Sequence, residues 1–186
     1  PTVLLLHGEP TWGYLYRKMM PALAEEGIRS LVPDQVGFGR SDKPADRGDY
    51  SYQRHVDWMQ GWLDATGTES LFFFGQDWGG LIGLRLVATD PERFAGLVVS
   101  NTGLPDGSGR PNDAFMAWQR FSQTAEEFPI GRIMTGGCLS ELPPDVIDAY
   151  DAPFPDDTFK EGARIWPTLV PTSADDPAVP SNLAAW

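Results

Sequence analysis

Four short apolar runs punctuate the first hundred residues, each separated from the next by a stretch of helical spacing. After Thr2 the segment to Leu6 is continuously apolar, the pattern of a parallel strand covered on both faces. Beyond His7-Gly8-Glu9-Pro10, helical spacing predicts a helix from about Gly13 to Glu26, with Gly27 as its C-terminal cap. Arg29–Pro33 reads as a short second strand, followed by the glycine-rich loop Val36-Gly37-Phe38-Gly39. A helix is expected over Tyr52–Ala65, ending at Gly67. Leu71–Phe74 is the third strand and the most apolar stretch of the chain, a helix over Gly79–Ala88 follows, and Phe94–Ser100 is the fourth strand. This alternation predicts βαβ units in a mostly parallel sheet with flanking helices, an α/β fold.

The pattern changes after Asn101. No later run resembles the first four, prolines become dense from Pro143 to Pro180, and short helical patterns appear at Asn112–Ser122 and Asp156–Ile165. Residues 1–101 are therefore expected to form the core and residues 102–186 an inserted helical cap. A disordered linker fits poorly with Trp118, Trp166, Trp186 and the phenylalanines of this segment. The chain opens directly in a strand pattern with no leader, so it reads as a fragment, with a fold incomplete at both ends.

Composition narrows the partners. A net charge of −12 lacks the basic footprint that nucleic acid or an anionic membrane surface requires, and no segment approaches a membrane span. A cytoplasmic location is the expectation. The single cysteine, Cys138, excludes an intramolecular disulfide and reads as a small apolar filler. With two histidines, His7 and His55, and no paired ligand motif, neither a metal nor another cofactor is expected.

The strongest local signal is Gly75-Gln76-Asp77-Trp78-Gly79-Gly80, between a buried strand and a helix. That is the context of a nucleophile elbow, G-x-S-x-G, whose glycines permit the tight turn and close strand–helix approach. Here the central residue is Asp77, a carboxylate able to attack carbon and form an alkyl ester. The helix N-terminus should favour its ionised form. The competing reading is an aspartate that merely caps the helix. His7-Gly8-Glu9-Pro10 follows the first strand, where such a fold places a second oxyanion donor. The backbone N–H groups of Glu9 and Trp78 are thus expected to converge on the ester carbonyl, with the Glu9 carboxyl left unassigned. His7 is expected to support this loop from beneath, Asp34 to stabilise its own loop, and His55 to be structural.

Taken together, His7–Met19, Pro33-Asp34, Gly37–Pro44, Gln76–Gly79 and Asp151–Asp156 resemble the haloalkane dehalogenases, α/β-hydrolases with an aspartate nucleophile. The resemblance implies that Asp77 displaces halide from a small apolar halogenated substrate, that water hydrolyses the ester, and that two indole N–H groups hold the halide ion. Trp78 matches the first of these donors and Trp118 is the candidate for the second, with Trp166 in reserve. Apolar cap residues such as Phe115, Phe121, Phe128 and Phe154 would exclude water. The resemblance also places the water-activating histidine and its acid partner beyond Trp186, so the 186 residues alone are expected not to turn over. An epoxide hydrolase is the nearest alternative, but it would need cap tyrosines and Tyr150 stands alone there. A fluoroacetate dehalogenase would carry arginine in place of Trp78. A non-catalytic binder of apolar ligands is the third reading.

Overall fold

The structure, a computed structural model, describes residues 1–186. Its strands are β1 (Thr2–Leu6), β2 (Arg29–Leu31), β3 (Leu71–Gln76) and β4 (Phe94–Ser100). They form one all-parallel sheet in the order β2-β1-β3-β4. The helices are α1 (Met19–Glu25), α2 (Tyr52–Ala65), α3 (Trp78–Thr89), α4 (Asp113–Thr124), α5 (Ile130–Gly136), α6 (Pro144–Asp151), α7 (Glu161–Ile165) and α8 (Val179–Ala184). Residues 102–186 contribute no strand. No helix is long and apolar enough to cross a membrane.

Alternation along the strands divides the core. Leu4, Leu6 and Phe73 face α2 and α3, joined by Val56, Leu63, Ile82 and Leu86. Val3 and Leu5 pack with Tyr16 on the other face, against Met19 and Leu23 of α1 and its approach. Leu4, Leu5 and Leu6 are fully buried, which is why that run shows no polar alternation. Phe128, Ile130, Val146, Tyr150, Phe154 and Trp166, all beyond residue 101, belong to the same cluster as Leu4 and Ile82. The helical segment is thus packed on the sheet's own core. At the other limit, β4 pairs only with β3 and leaves Leu97, Val98 and Val99 exposed beside Phe72.

Several boundaries differ from those expected. The helix read from Gly13 to Glu26 is a 3₁₀ turn (Gly13–Tyr16) followed by α1. Pro21 explains the break, since its ring cannot accept a helical turn running unbroken through the residues before it. The helix expected over Asp156–Ile165 is likewise divided into a 3₁₀ turn (Asp157–Lys160) and α7. The short α5, α6 and α8 went unrecognised because seven, eight and six residues display little periodicity. Pro144 and Pro180, part of the proline-dense stretch, stand at the starts of α6 and α8, where a missing N–H costs nothing. β3 continues to Gln76 and α3 begins at Trp78, leaving Asp77 alone to make the turn.

Candidate active site

Parallel pairing gathers the site. Leu6 is in register with Gly75, and Gly75 with Val99, so the C-terminal ends of β1, β3 and β4 lie side by side. Such carboxyl ends are where open α/β sheets bind ligands. Each contributes a turn: His7–Pro10 after β1, Asp77 after β3, and Asn101-Thr102 after β4.

Asp77 occupies the left-handed region, with φ 54° and ψ −128°, a conformation that costs a non-glycine residue of the order of 1–3 kcal/mol. The strain is held from three sides. Thr102 donates its hydroxyl to the Asp77 carbonyl at 2.7 Å. A side chain at Gly79 would collide with the carbonyl of Leu6, and one at Gly8 with the Asp77 carboxyl, so both approaches demand glycine. The Asp77 side chain does not cap α3. Its Oδ1 instead accepts the backbone N–H of Glu9 at 2.7 Å. Burial pushes the carboxyl's pKa up, and the N–H groups of Trp78 and Glu9 oppose this without cancelling it. The helix N-terminus therefore does not dominate, as the sequence suggested it would.

Asp77 opens on a cavity of about 1060 Å³ with a mostly apolar lining that includes Leu15, Phe74, Phe121, Ile133 and Met134. Glu9 and Trp118 line it as well. The Glu9 carboxyl, left unassigned from the sequence, is not a solvated turn group. Its Oε1 is buried without a partner, and burial and the neighbouring Asp77 charge raise its pKa well above the carboxylate range, while the Trp118 indole draws it down.

The Trp78 indole is not among the lining groups. It is buried, edge-on to Tyr52 at 5.1 Å and tilted against Trp166 at 5.0 Å between ring centroids. Trp166, the reserve donor, is withdrawn: it is fully buried and gives its N–H to His55 Nε2 at 2.6 Å. Of the four cap phenylalanines, only Phe121 reaches the cavity. Phe128 and Phe154 are in the core, and Phe115 faces a separate surface groove. Cys138 is corrected too, because it is exposed at the cavity's edge and fills no core position.

Both histidines are committed elsewhere. His7 donates from Nδ1 to the Gly8 carbonyl at 3.0 Å and accepts the Gln35 N–H at Nε2, 2.9 Å. Burial lowers its pKa to about 4, and that of His55 to about 3. Asp34 accepts from the N–H of Gly13 at 2.8 Å and from Arg40, tying the loop after β2 to the turn after β1. Thr102 and Tyr16 are the site residues that sequence reasoning missed. Tyr16 lines the cavity while its hydroxyl donates to the Leu6 carbonyl at 2.6 Å. No local motif marks either one. No group of histidine, cysteine and carboxylate side chains is arranged to hold a metal.

The family model for the alpha/beta hydrolase fold matches residues 1–133. The chain belongs to that family. A haloalkane dehalogenase of Psychrobacter cryohalolentis is 56% identical to it over 184 residues, covering 99% of this chain and 61% of the relative. Haloalkane dehalogenase 1 of Mycobacterium bovis is 50% identical over 186 residues, covering 100% and 62%. Among solved structures, the tetrameric haloalkane dehalogenase DpaA from Paraglaciecola agarilytica NO2 superposes with a TM-score of 0.94 at 38% identity, covering 99% of this chain and 61% of that one. The chain thus spans about three fifths of the length of the relatives it matches.

Proposed function

We propose that the protein is a haloalkane dehalogenase, built from a hydrolase core at residues 1–101 and a helical cap at 102–186. The observation that carries this reading is the Asp77 carboxylate, held at a strained elbow, free of any capping duty, and facing a large apolar cavity. In the reaction, a carboxylate oxygen of Asp77 attacks the carbon bearing the halogen. The carbon–halogen bond breaks, and halide departs with the bonding electrons. Water then adds to the carbonyl carbon of the ester, and the alcohol leaves as the carboxylate is restored and a proton is released.

The Glu9 N–H, already 2.7 Å from Asp77 Oδ1, and the Trp78 N–H stabilise the oxyanion formed in the second step. For the halide, Trp118 on the cavity wall supplies one indole donor; Trp78, beside Asp77 in the chain, would have to turn its buried indole away from Tyr52 and Trp166 to supply the other. Donor-only N–H groups suit a soft, weakly hydrated anion because they do not compete as nucleophiles. Halogenated substrate, water and halide are the partners, no cofactor takes part, and the location is cytoplasmic.

The disposition of the tyrosines favours this reading over an epoxide hydrolase. Tyr150 is buried beside Arg17, away from the cavity, and the hydroxyl of Tyr16 is already spent on a carbonyl. The deciding experiment expresses the full reading frame containing these residues and measures bromide release from 1-bromobutane. Asp77→Ala should reduce the rate by roughly 10⁴-fold or more. Diol formed from a test epoxide without bromide release would move the assignment to an epoxide hydrolase.

A further inference from the structure

Because α4 carries Trp118 to the cavity, whatever fixes the pose of α4 also fixes the indole. Ala114, Trp118 and Phe121 of this helix line the cavity, spaced as one helical face. The start of α4 is closed by Asn112, whose side chain accepts the Phe115 N–H at 2.8 Å. At the other end the last carbonyls of a helix have no partner within it. Arg164 of α7 meets them: its Nη1 donates to the Ala125 carbonyl at 2.8 Å and to the Ser122 carbonyl at 3.3 Å. A cation is also favoured there by the helix dipole. The attachment is reciprocal. Gln123 of α4 donates its side-chain amide to the Arg164 carbonyl, and its Oε1 accepts from Arg47 at 3.0 Å. Arg164 is itself buried, and Trp166, two residues further on, is fastened to His55 of α2. The guanidinium reaches the indole by a second route. Its carbon lies 5.0 Å from the Phe128 ring centroid, and the fully buried Phe128 stacks on Trp118 at 5.7 Å, with 30° between the ring planes.

We propose that Arg164 is a positioning residue for halide capture: it clamps the C-terminal end of α4 and the Phe128 ring, and so presents the Trp118 indole to the cavity. The proposal rests on the dehalogenase reading, in which Trp118 is a halide donor. A hydrogen bond to the anion weakens steeply when the N–H is misaligned. A donor already held in place also loses less freedom on binding than one that must first be ordered. Arginine suits the task because one planar group serves two carbonyls by its edge and an aromatic ring by its face. Lysine, a compact point charge on a flexible stem, does only part of this.

The test measures bromide binding by quenching of tryptophan fluorescence in the protein expressed from its full reading frame. Arg164→Met keeps the apolar stem and deletes the donors, and bromide affinity should fall by about tenfold. Arg164→Lys should lie between this variant and the wild type. In a Trp118→Phe background the positioned donor is gone, so Arg164→Met should then change affinity by less than about twofold. A role in stability alone predicts a lower melting temperature with wild-type affinity in the folded variant, and that result overturns the proposal. An undiminished effect of Arg164→Met in the Trp118→Phe background overturns it as well. Should Arg164→Met not fold, Gln123→Met removes the reciprocal bond from a half-buried position. Its affinity should fall by about threefold while Trp118 is present, and unchanged affinity there overturns the proposal. Failure of the dehalogenase reading has a different signature: the wild type releases no bromide from 1-bromobutane, yet its bromide affinity keeps the dependence on Arg164. A wild type that binds no bromide overturns the proposal.

Discussion

At the scale of single residues, the site depends on where hydrogen bonds have already been spent. The capping duty that the position of Asp77 invites is not performed, and Oδ1 is turned to the Glu9 N–H, which leaves the carboxyl available for the proposed chemistry. Trp118 and Trp166 are both cap indoles, which the sequence reading ranked as candidate and reserve donor. Trp166 has committed its N–H to His55, whereas Trp118 faces the cavity and the Glu9 carboxyl. Replacing Trp118 by phenylalanine keeps the aromatic bulk and deletes one charge-assisted donor. It should therefore weaken bromide affinity and slow bromide release roughly 10- to 100-fold. Trp166→Phe should instead appear as lost thermal stability, since it opens a buried hydrogen bond to His55. Equal effects of the two variants on bromide affinity would contradict this division.

At the scale of elements, a buried hydrogen bond joins α2 to the helical segment. His55, on α2, accepts the Trp166 N–H from the 3₁₀ turn Trp166–Leu169, and Trp166 in turn braces Phe38 and Trp78. Protonating His55 would destroy that acceptor, which agrees with its pKa of about 3 in the folded state. Below the ordinary histidine value of about 6.5 the unfolded chain binds a proton that the folded chain refuses. Stability is then lost as pH falls, by roughly 1.4 kcal/mol per pH unit until about pH 3. Glutamine at this position can accept the same bond and does not titrate. Urea denaturation from pH 7 to pH 4 should show a shallower acid decline for His55→Gln than for the wild type. The part contributed by His7, whose pKa is about 4, should persist in the variant. Parallel acid profiles for the two proteins would exclude His55 as the source.

At the scale of the whole molecule, the proposed reaction needs a base that activates water as well as the Asp77 nucleophile. His7 has both ring nitrogens hydrogen-bonded, His55 accepts the Trp166 N–H at Nε2, both rings are buried, and neither lines the cavity. A base is required to activate water at a useful rate. The isolated 186 residues, if they fold with β4 and its apolar residues exposed, should therefore release no more than about one bromide per chain and then stop. The full reading frame should release bromide continuously. Sustained release by the isolated chain would mean that a group within it, His7 foremost, can serve as the base.

Much of this was legible from the order of residues alone. The continuous apolar run at Thr2–Leu6 marked a strand covered on both faces, Leu71–Phe74 marked a strand although Phe72 stays exposed, and the alternation with helical spacing pointed to a parallel sheet. Gly75–Gly80 named the elbow because a tight strand-to-helix turn needs glycines at those offsets, and the structure shows the collisions that side chains there would suffer. These are local constraints, expressed within a few residues of where they act. What the sequence left open is decided across the chain. The pairing of Leu6 with Gly75 and of Gly75 with Val99 brings Glu9, Asp77 and Thr102 to one edge. Packing of the helical segment on the sheet spends the Trp166 N–H and leaves Trp118 facing the cavity. The Glu9 carboxyl shows why the division falls there: its pKa depends on burial and on Asp77, which lies 68 residues away in sequence. Only the folded chain sets that environment.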